Sequence, residues 1–124
     1  MQGLHLTADL YDCQCTGALL TDSALLRDAL LSAVAASSLT GVAQLFHDFS
    51  AQGGAGSGIT GVVLLAESHV AIHTWPERGA VTLDVYVCNY SADNTAKAHA
   101  LFDALQTAFA ARRQQTHALA RGAQ

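Results

Sequence analysis

Residues 58–77 read GITGVVLLAESHVAIHTWPE, from Gly58 to Glu77. Two apolar runs lie in it, Ile59–Ala66 and His69–Thr74, and both have the length and branched side chains of strands. Trp75-Pro76 closes the second run, because proline cannot donate a hydrogen bond to a ladder. Between the runs stand three polar residues in a row, Glu67-Ser68-His69. Burying such a triplet costs several kcal/mol unless every group is paired. Taken alone, a tight turn with exposed polar side chains is the simplest account of it. His73, taken alone, reads as a half-buried strand histidine.

Working outward, Ala80–Cys88 is a fifth strand, with Val81, Leu83, Val85 and Val87 in phase. Upstream, Ser50–Gly58 (SAQGGAGSG) is small and flexible, which makes it a loop. Thr40–Phe49 reads as a strand that alternates Val42, Gln44, Phe46 and Asp48 against Ala43, Leu45, His47 and Phe49. Leu4–Leu10 alternates likewise, and Tyr11–Ala18 is a polar, cysteine-containing loop. Thr21 or Asp22 then caps a helix whose face carries Leu25, Leu26, Ala29, Leu30, Ala33 and Val34. From about Ala92 to Ala111 the helical period returns, with Leu101, Leu105 and Phe109 spaced by four. The expected fold is α+β, a two-layer sandwich: an antiparallel sheet with two helices on one face, in the order β-α-β-β-β-α. A sheet covered on one side leaves its other face needing a partner or a ligand.

The chain has 124 residues, enough for a single domain spanning 1–124, and 51% of them are hydrophobic. Only 13% are charged and the net charge is -4, so disorder and nucleic-acid binding have little support. Arg112, Arg113 and Arg121 read as part of a solvated tail. So low a charged fraction fits a chain that hides surface in an oligomer. No run is long enough to span a membrane and no secretory signal is legible, which makes a cytoplasmic protein the expectation. Cys13, Cys15 and Cys88 are an odd number without a four-ligand set, so free thiols and no metal site are expected.

The central stretch closely resembles the self-cleaving site of prokaryotic S-adenosylmethionine decarboxylase proenzymes, a pyruvoyl-dependent family. Those proenzymes carry G-[VI]-S-G, then E-S-H, then I-H-T-W-P-E. Here the matching residues are Gly58-Ile59-Thr60-Gly61, Glu67-Ser68-His69 and Ile72-His73-Thr74-Trp75-Pro76-Glu77. The resemblance extends to Phe46-His47-Asp48-Phe49 and to Asp84-Val85-Tyr86-Val87-Cys88, and covers roughly residues 3–110.

The resemblance implies that the Ser68 hydroxyl attacks the Glu67 carbonyl and that the chain splits into 1–67 and 68–124. Ser68 would become a covalent pyruvoyl cofactor, which forms a Schiff base with the substrate amine and accepts electrons as carbon dioxide leaves. Thr60, as the processing hydroxyl, and His73 occupy the family's processing positions, although serine is usual where Thr60 stands. On the strands as read, Thr60 and Ser68 meet only if adjacent strands fold back antiparallel. Cys88 matches the family's proton donor, Glu77 its ribose-binding carboxylate and Phe49 its adenine-facing aromatic. Arg78 stands where tyrosine is common and Asn89 where glycine is usual; Arg78 either neutralises Glu77 or recruits a substrate carboxylate.

The implied activity is decarboxylation of S-adenosylmethionine to the aminopropyl donor for spermidine, by a homodimer with sites near its interface. Two alternatives stay open: a pyruvoyl-dependent ornithine or arginine decarboxylase, and an unprocessed homologue that serves as a binding or regulatory subunit.

Overall fold

Period-two alternation becomes strand wherever the sequence shows it, and one further strand forms where it does not. The computed structural model describes residues 2–52 and 58–122. In chain order these are β1 (Gly3–Cys13), α1 (Ala18–Thr21), α2 (Ser23–Ala36), β2 (Gly41–Asp48), β3 (Ile59–Leu65), β4 (Ser68–Trp75), β5 (Ala80–Cys88), α3 (Thr95–Phe109) and β6 (Ala111–Arg121). Short 3-10 turns follow β2 and β4. Most of the Gly-rich loop, 53–57, lies outside the described residues.

The strands form one antiparallel sheet in the order β2-β3-β4-β5-β1-β6. The two-layer α+β architecture is as expected, but the order β-α-β-β-β-α is corrected in three places. Four strands separate the long helices, matching the four apolar segments read there one by one, where that order has three. The polar loop after Leu10 is shorter, because β1 continues to Cys13 and a four-residue helix, α1, follows it. The C-terminal segment is not a solvated tail: Arg112, Arg113 and Arg121 lie on β6, paired with β1 from Cys13↔Ala111 to Gly3↔Arg121. Ala110 makes that strand possible. Its left-handed backbone (φ 50°) ends α3, and its N–H reaches Gln106 O, so the chain reverses directly into β6.

The core lies between the sheet and the helices. Leu6, Leu10, Ile59, Val63, Val70, Ile72, Val81, Leu83 and Val85 point into it from the strands. Asp22, not Thr21, caps α2, accepting from the N–H groups of Ala24 and Leu25 at 3.0 and 3.3 Å. That helix buries Leu26, Leu30 and Val34, while Leu25 stays exposed. Helix α3 adds Leu101, Phe102, Leu105 and Phe109. Each fully buried side chain of this kind contributes about 1.5–3 kcal/mol relative to exposure.

The opposite phase of every strand points away from the helices. This open face carries His5 and Thr7 (β1), Leu45 and His47 (β2), Thr60, Val62 and Leu64 (β3), His69 and His73 (β4), Asp84 and Tyr86 (β5) and His117 (β6). Leu45 and Leu64 are among the exposed large apolar residues. Nothing within the described chain covers this face.

Candidate active site

The polar triplet, which its composition alone reads as an exposed turn, is a turn only at Glu67; Ser68 and His69 open β4. Leu65 pairs with Ser68, which leaves Ala66 and Glu67 as a two-residue connection between β3 and β4. Glu67 takes φ 61°, a left-handed position that glycine normally fills and that costs a side-chain-bearing residue about 1–2 kcal/mol. The peptide that follows it is Glu67–Ser68. The Glu67 carboxylate is tethered, accepting from Ser91 Oγ at 3.2 Å. Ser68 itself is buried, and its Oγ accepts a hydrogen bond from the Cys88 N–H at 3.1 Å. Cys88, at the end of β5, is buried beside it. Ser68, Glu67 and Cys88 therefore share one end of the sheet.

Thr60 and His73 share the other end. They are register partners across β3 and β4, and Thr60 Oγ1 lies 3.0 Å from His73 Nδ1. An open cleft of about 360 Å³ adjoins them, with Phe49, Trp75 and Glu77 on its walls. Phe49 and Trp75 are both partly exposed, at 42% and 45%. The His47 ring meets Phe49 edge-on, with centroids 4.5 Å apart. Below the cleft, the buried Thr74 hydroxyl donates to Leu20 O at 2.8 Å and accepts from the Ile59 N–H at 2.9 Å. Gly58 is required here, because a Cβ would collide with the Thr74 carbonyl. Arg78 is exposed on the turn after β4 and is not among the residues that line the cleft.

The antiparallel pairing of β3 with β4 is present, but its register sets Thr60 opposite His73, not opposite Ser68. Five residue steps along β4 separate Ser68 from His73, about 17 Å at strand rise. Within one chain neither Thr60 nor His73 reaches the Glu67–Ser68 peptide.

Cys13 and Cys15 take the structural role expected of them. Their N–H groups bond Gly79 O and Phe109 O, and burial, the largest cause, pushes the Cys13 thiol up to about 11. All three cysteines are free.

The family profile described as S-adenosylmethionine decarboxylase matches residues 4–122. The chain belongs to the S-adenosylmethionine decarboxylase family. Among curated relatives, the S-adenosylmethionine decarboxylase proenzyme of Acidithiobacillus ferrooxidans is 43% identical over 86 residues, covering 69% of this chain and 59% of that one. The proenzyme of Archaeoglobus fulgidus is 37% identical over 100 residues, covering 81% of this chain and 82% of that one. The chain thus spans less than two thirds of the length of the Acidithiobacillus relative. The crystal structure of the adenosylmethionine decarboxylase from Aquifex aeolicus superimposes with a TM-score of 0.82 at 35% identity, covering 98% of this chain and 91% of that one.

Set against the decarboxylase family, the sequence reading omitted four contributors to the two ends. Trp75 forms a second aromatic wall of the cleft, and His47 packs on Phe49. Thr74 braces the cleft floor, and Ser91 tethers Glu67. Trp75 and His47 were legible as members of matched motifs. Ser91 was not, because only the fold brings it next to Glu67.

Proposed function

We propose that this chain is a self-processing, pyruvoyl-dependent decarboxylase whose substrate is S-adenosylmethionine. The observation that carries the reading is Ser68: a buried hydroxyl held by the Cys88 N–H, directly after a residue in a left-handed turn. Those features fit the precursor of a pyruvoyl group, since the strained peptide is the one to be broken and the hydroxyl is already oriented.

Ser68 Oγ attacks the Glu67 carbonyl carbon and the Ser68 nitrogen leaves it, converting the amide to an ester. Loss of the Ser68 α-proton then expels the Glu67 carboxylate, and water replaces the nitrogen on residue 68, releasing ammonia. A pyruvoyl group at residue 68 would supply a carbonyl for the substrate amine and a sink for the electrons left on the α-carbon as carbon dioxide departs. Cys88 stands at that end with a thiol proton to give. At the other end, Glu77 accepts hydrogen bonds from ribose hydroxyls, while Phe49 and Trp75 offer faces to a nucleobase and to a positive sulfonium. Two aromatic walls with Arg78 off the cleft favour a nucleoside substrate over ornithine or arginine.

The separation of about 17 Å within β4 supports a homodimer. A twofold axis lying between two open faces, and crossing the strands, reverses strand direction in the second copy. The second copy's Thr60–His73 pair and cleft then lie over the Ser68–Cys88 end of the first. The face supplies what such packing needs: exposed Leu45 and Leu64 in an array of imidazole and hydroxyl groups. The free cysteines are in keeping with a reducing, cytoplasmic compartment.

A denaturing gel of the purified chain tests the reading, with carbon dioxide release from S-adenosylmethionine, ornithine and arginine measured side by side. Fragments 1–67 and 68–124, with release from S-adenosylmethionine alone, are expected. A single uncut band without release would leave the unprocessed, regulatory reading in its place.

A further inference from the structure

Helix α3 begins at Asn94, a residue type that ordinarily accepts a hydrogen bond from its own first turn. Asn94 makes no such bond. Its side chain turns back, and Nδ2 donates to the carbonyl of Cys88 at 3.0 Å. The capping is done instead by Asp93, whose Oδ1 accepts from the Thr95 N–H at 3.0 Å; bonds from the Thr95 backbone and hydroxyl hold that carboxyl below its usual range. Asn94 is in turn fixed by Asn89, whose Oδ1 accepts the Asn94 N–H at 2.8 Å while its Nδ2 donates to Thr95 Oγ1 at 3.2 Å. Asn89 must turn its oxygen to the Asn94 N–H and Asn94 must turn its nitrogen to the Cys88 carbonyl, so the orientation of both amides is determined by their partners. Asn89 is the position where the family commonly has glycine, which could make none of these bonds.

Residue 88 is therefore held from both sides. Its N–H is fixed to Ser68 Oγ and its carbonyl to Asn94, with the α-carbon that carries the thiol side chain between them. We propose that Asn94, oriented by Asn89, is a positioning residue that sets the Cys88 thiol for proton delivery. This rests on the decarboxylase reading above. The clamp gains importance once the chain is cut, because Ser68 Oγ leaves with the Glu67 carboxylate and the Cys88 N–H loses that acceptor. The Asn94 bond does not depend on Ser68 and persists.

The test is Asn94→Ser in the full-length chain. Serine is as good an N-cap but too short to reach the Cys88 carbonyl, so helix α3 is retained while the clamp is lost. Cys88 alkylation by iodoacetamide, mapped by mass, should become several-fold faster. Turnover should fall by about tenfold in kcat with KM nearly unchanged, since the cleft residues are not touched. Unaltered alkylation, or faster alkylation with unaltered kcat, overturns the proposal. Should Asn94→Ser fail to fold, Asn89→Ala releases the same clamp from its far end and is judged by the same two readings. A chain that stays uncut without any substitution contradicts the decarboxylase reading instead, and the alkylation rates then judge the clamp alone.

Discussion

Gly61 sits in the middle of β3, opposite Phe46 on β2, and the Phe46 ring lies where a Cβ on residue 61 would go. Gly61→Ala therefore forces a choice. Either the ring rotates away from the half-buried place it holds over the core, or β2 moves off β3. Overpacking of this kind costs about 1–3 kcal/mol. Taking about 2 kcal/mol, and about 4 °C per kcal/mol for a domain of this size, the melting temperature should fall by about 8 °C. The measurement belongs in a Ser68→Ala background, because a chain cut in two does not unfold as a two-state system. Thermal denaturation should then be repeated on Phe46→Ala and on the double variant. Without the ring there is nothing for the alanine to strike, so Gly61→Ala should cost nearly nothing on top of Phe46→Ala. In the processed protein, displacement of β2 carries Phe49 away from the cleft and raises KM. Full additivity of the two substitutions, or an unchanged melting temperature for Gly61→Ala, would refute the packing argument.

Three further outcomes follow from the geometry. Thr60→Val removes the hydroxyl that faces His73 and should slow cleavage at least tenfold, whereas Thr60→Ser should cleave at least as fast as the unsubstituted chain; a time course on gels decides it. Co-expressing Ser68→Ala with His73→Ala should restore cutting of the His73→Ala chain, because the Ser68→Ala copy still has an imidazole to lend to the intact Ser68 of the other; two uncut chains would contradict the reversed dimer. Cys13, with its thiol raised to about 11, should carry about 50-fold less thiolate at pH 9 than an ordinary thiol and resist alkylation accordingly. Because that folded value lies above the unfolded one of 9.0, its contribution to stability is present below pH 9 and is lost as pH rises towards 11. Alkaline unfolding of a Cys13→Ala variant should lack that component.

The sheet was legible because its core strands alternate over long stretches; Val81, Leu83, Val85 and Val87 announce β5 directly. Strand β6 was not. ARRQQTHALAR buries almost nothing, and it is a strand because β1 offers an unpaired edge and Ala110 turns the chain onto it. No periodicity records either cause. The same contrast runs through the candidate site. Ser68, His73, Thr60 and Glu77 stand in the motifs that carry the family resemblance; Thr60 and His73 lie on the strands expected, while Ser68, read as part of a turn, is the first residue of β4. What spacing could not convey is register. Thr60 pairs with His73, which places both a full strand length from Ser68 and makes a second copy necessary to the reading. The partners of Cys88 were equally hidden, since Asn94 reaches it only after the chain has turned out of β5 and into α3.

The mass of fragment 68–124 tests the central claim most directly. Intact-mass analysis of the purified chain should show 1–67 ending in an unmodified Glu67 carboxyl. The second fragment should be lighter by one ammonia than a peptide that begins with serine, the signature of a pyruvoyl start, and Ser68→Ala should leave the chain whole. A second fragment with the full mass of a serine start, or a Ser68→Ala chain that still divides in two, would contradict the account.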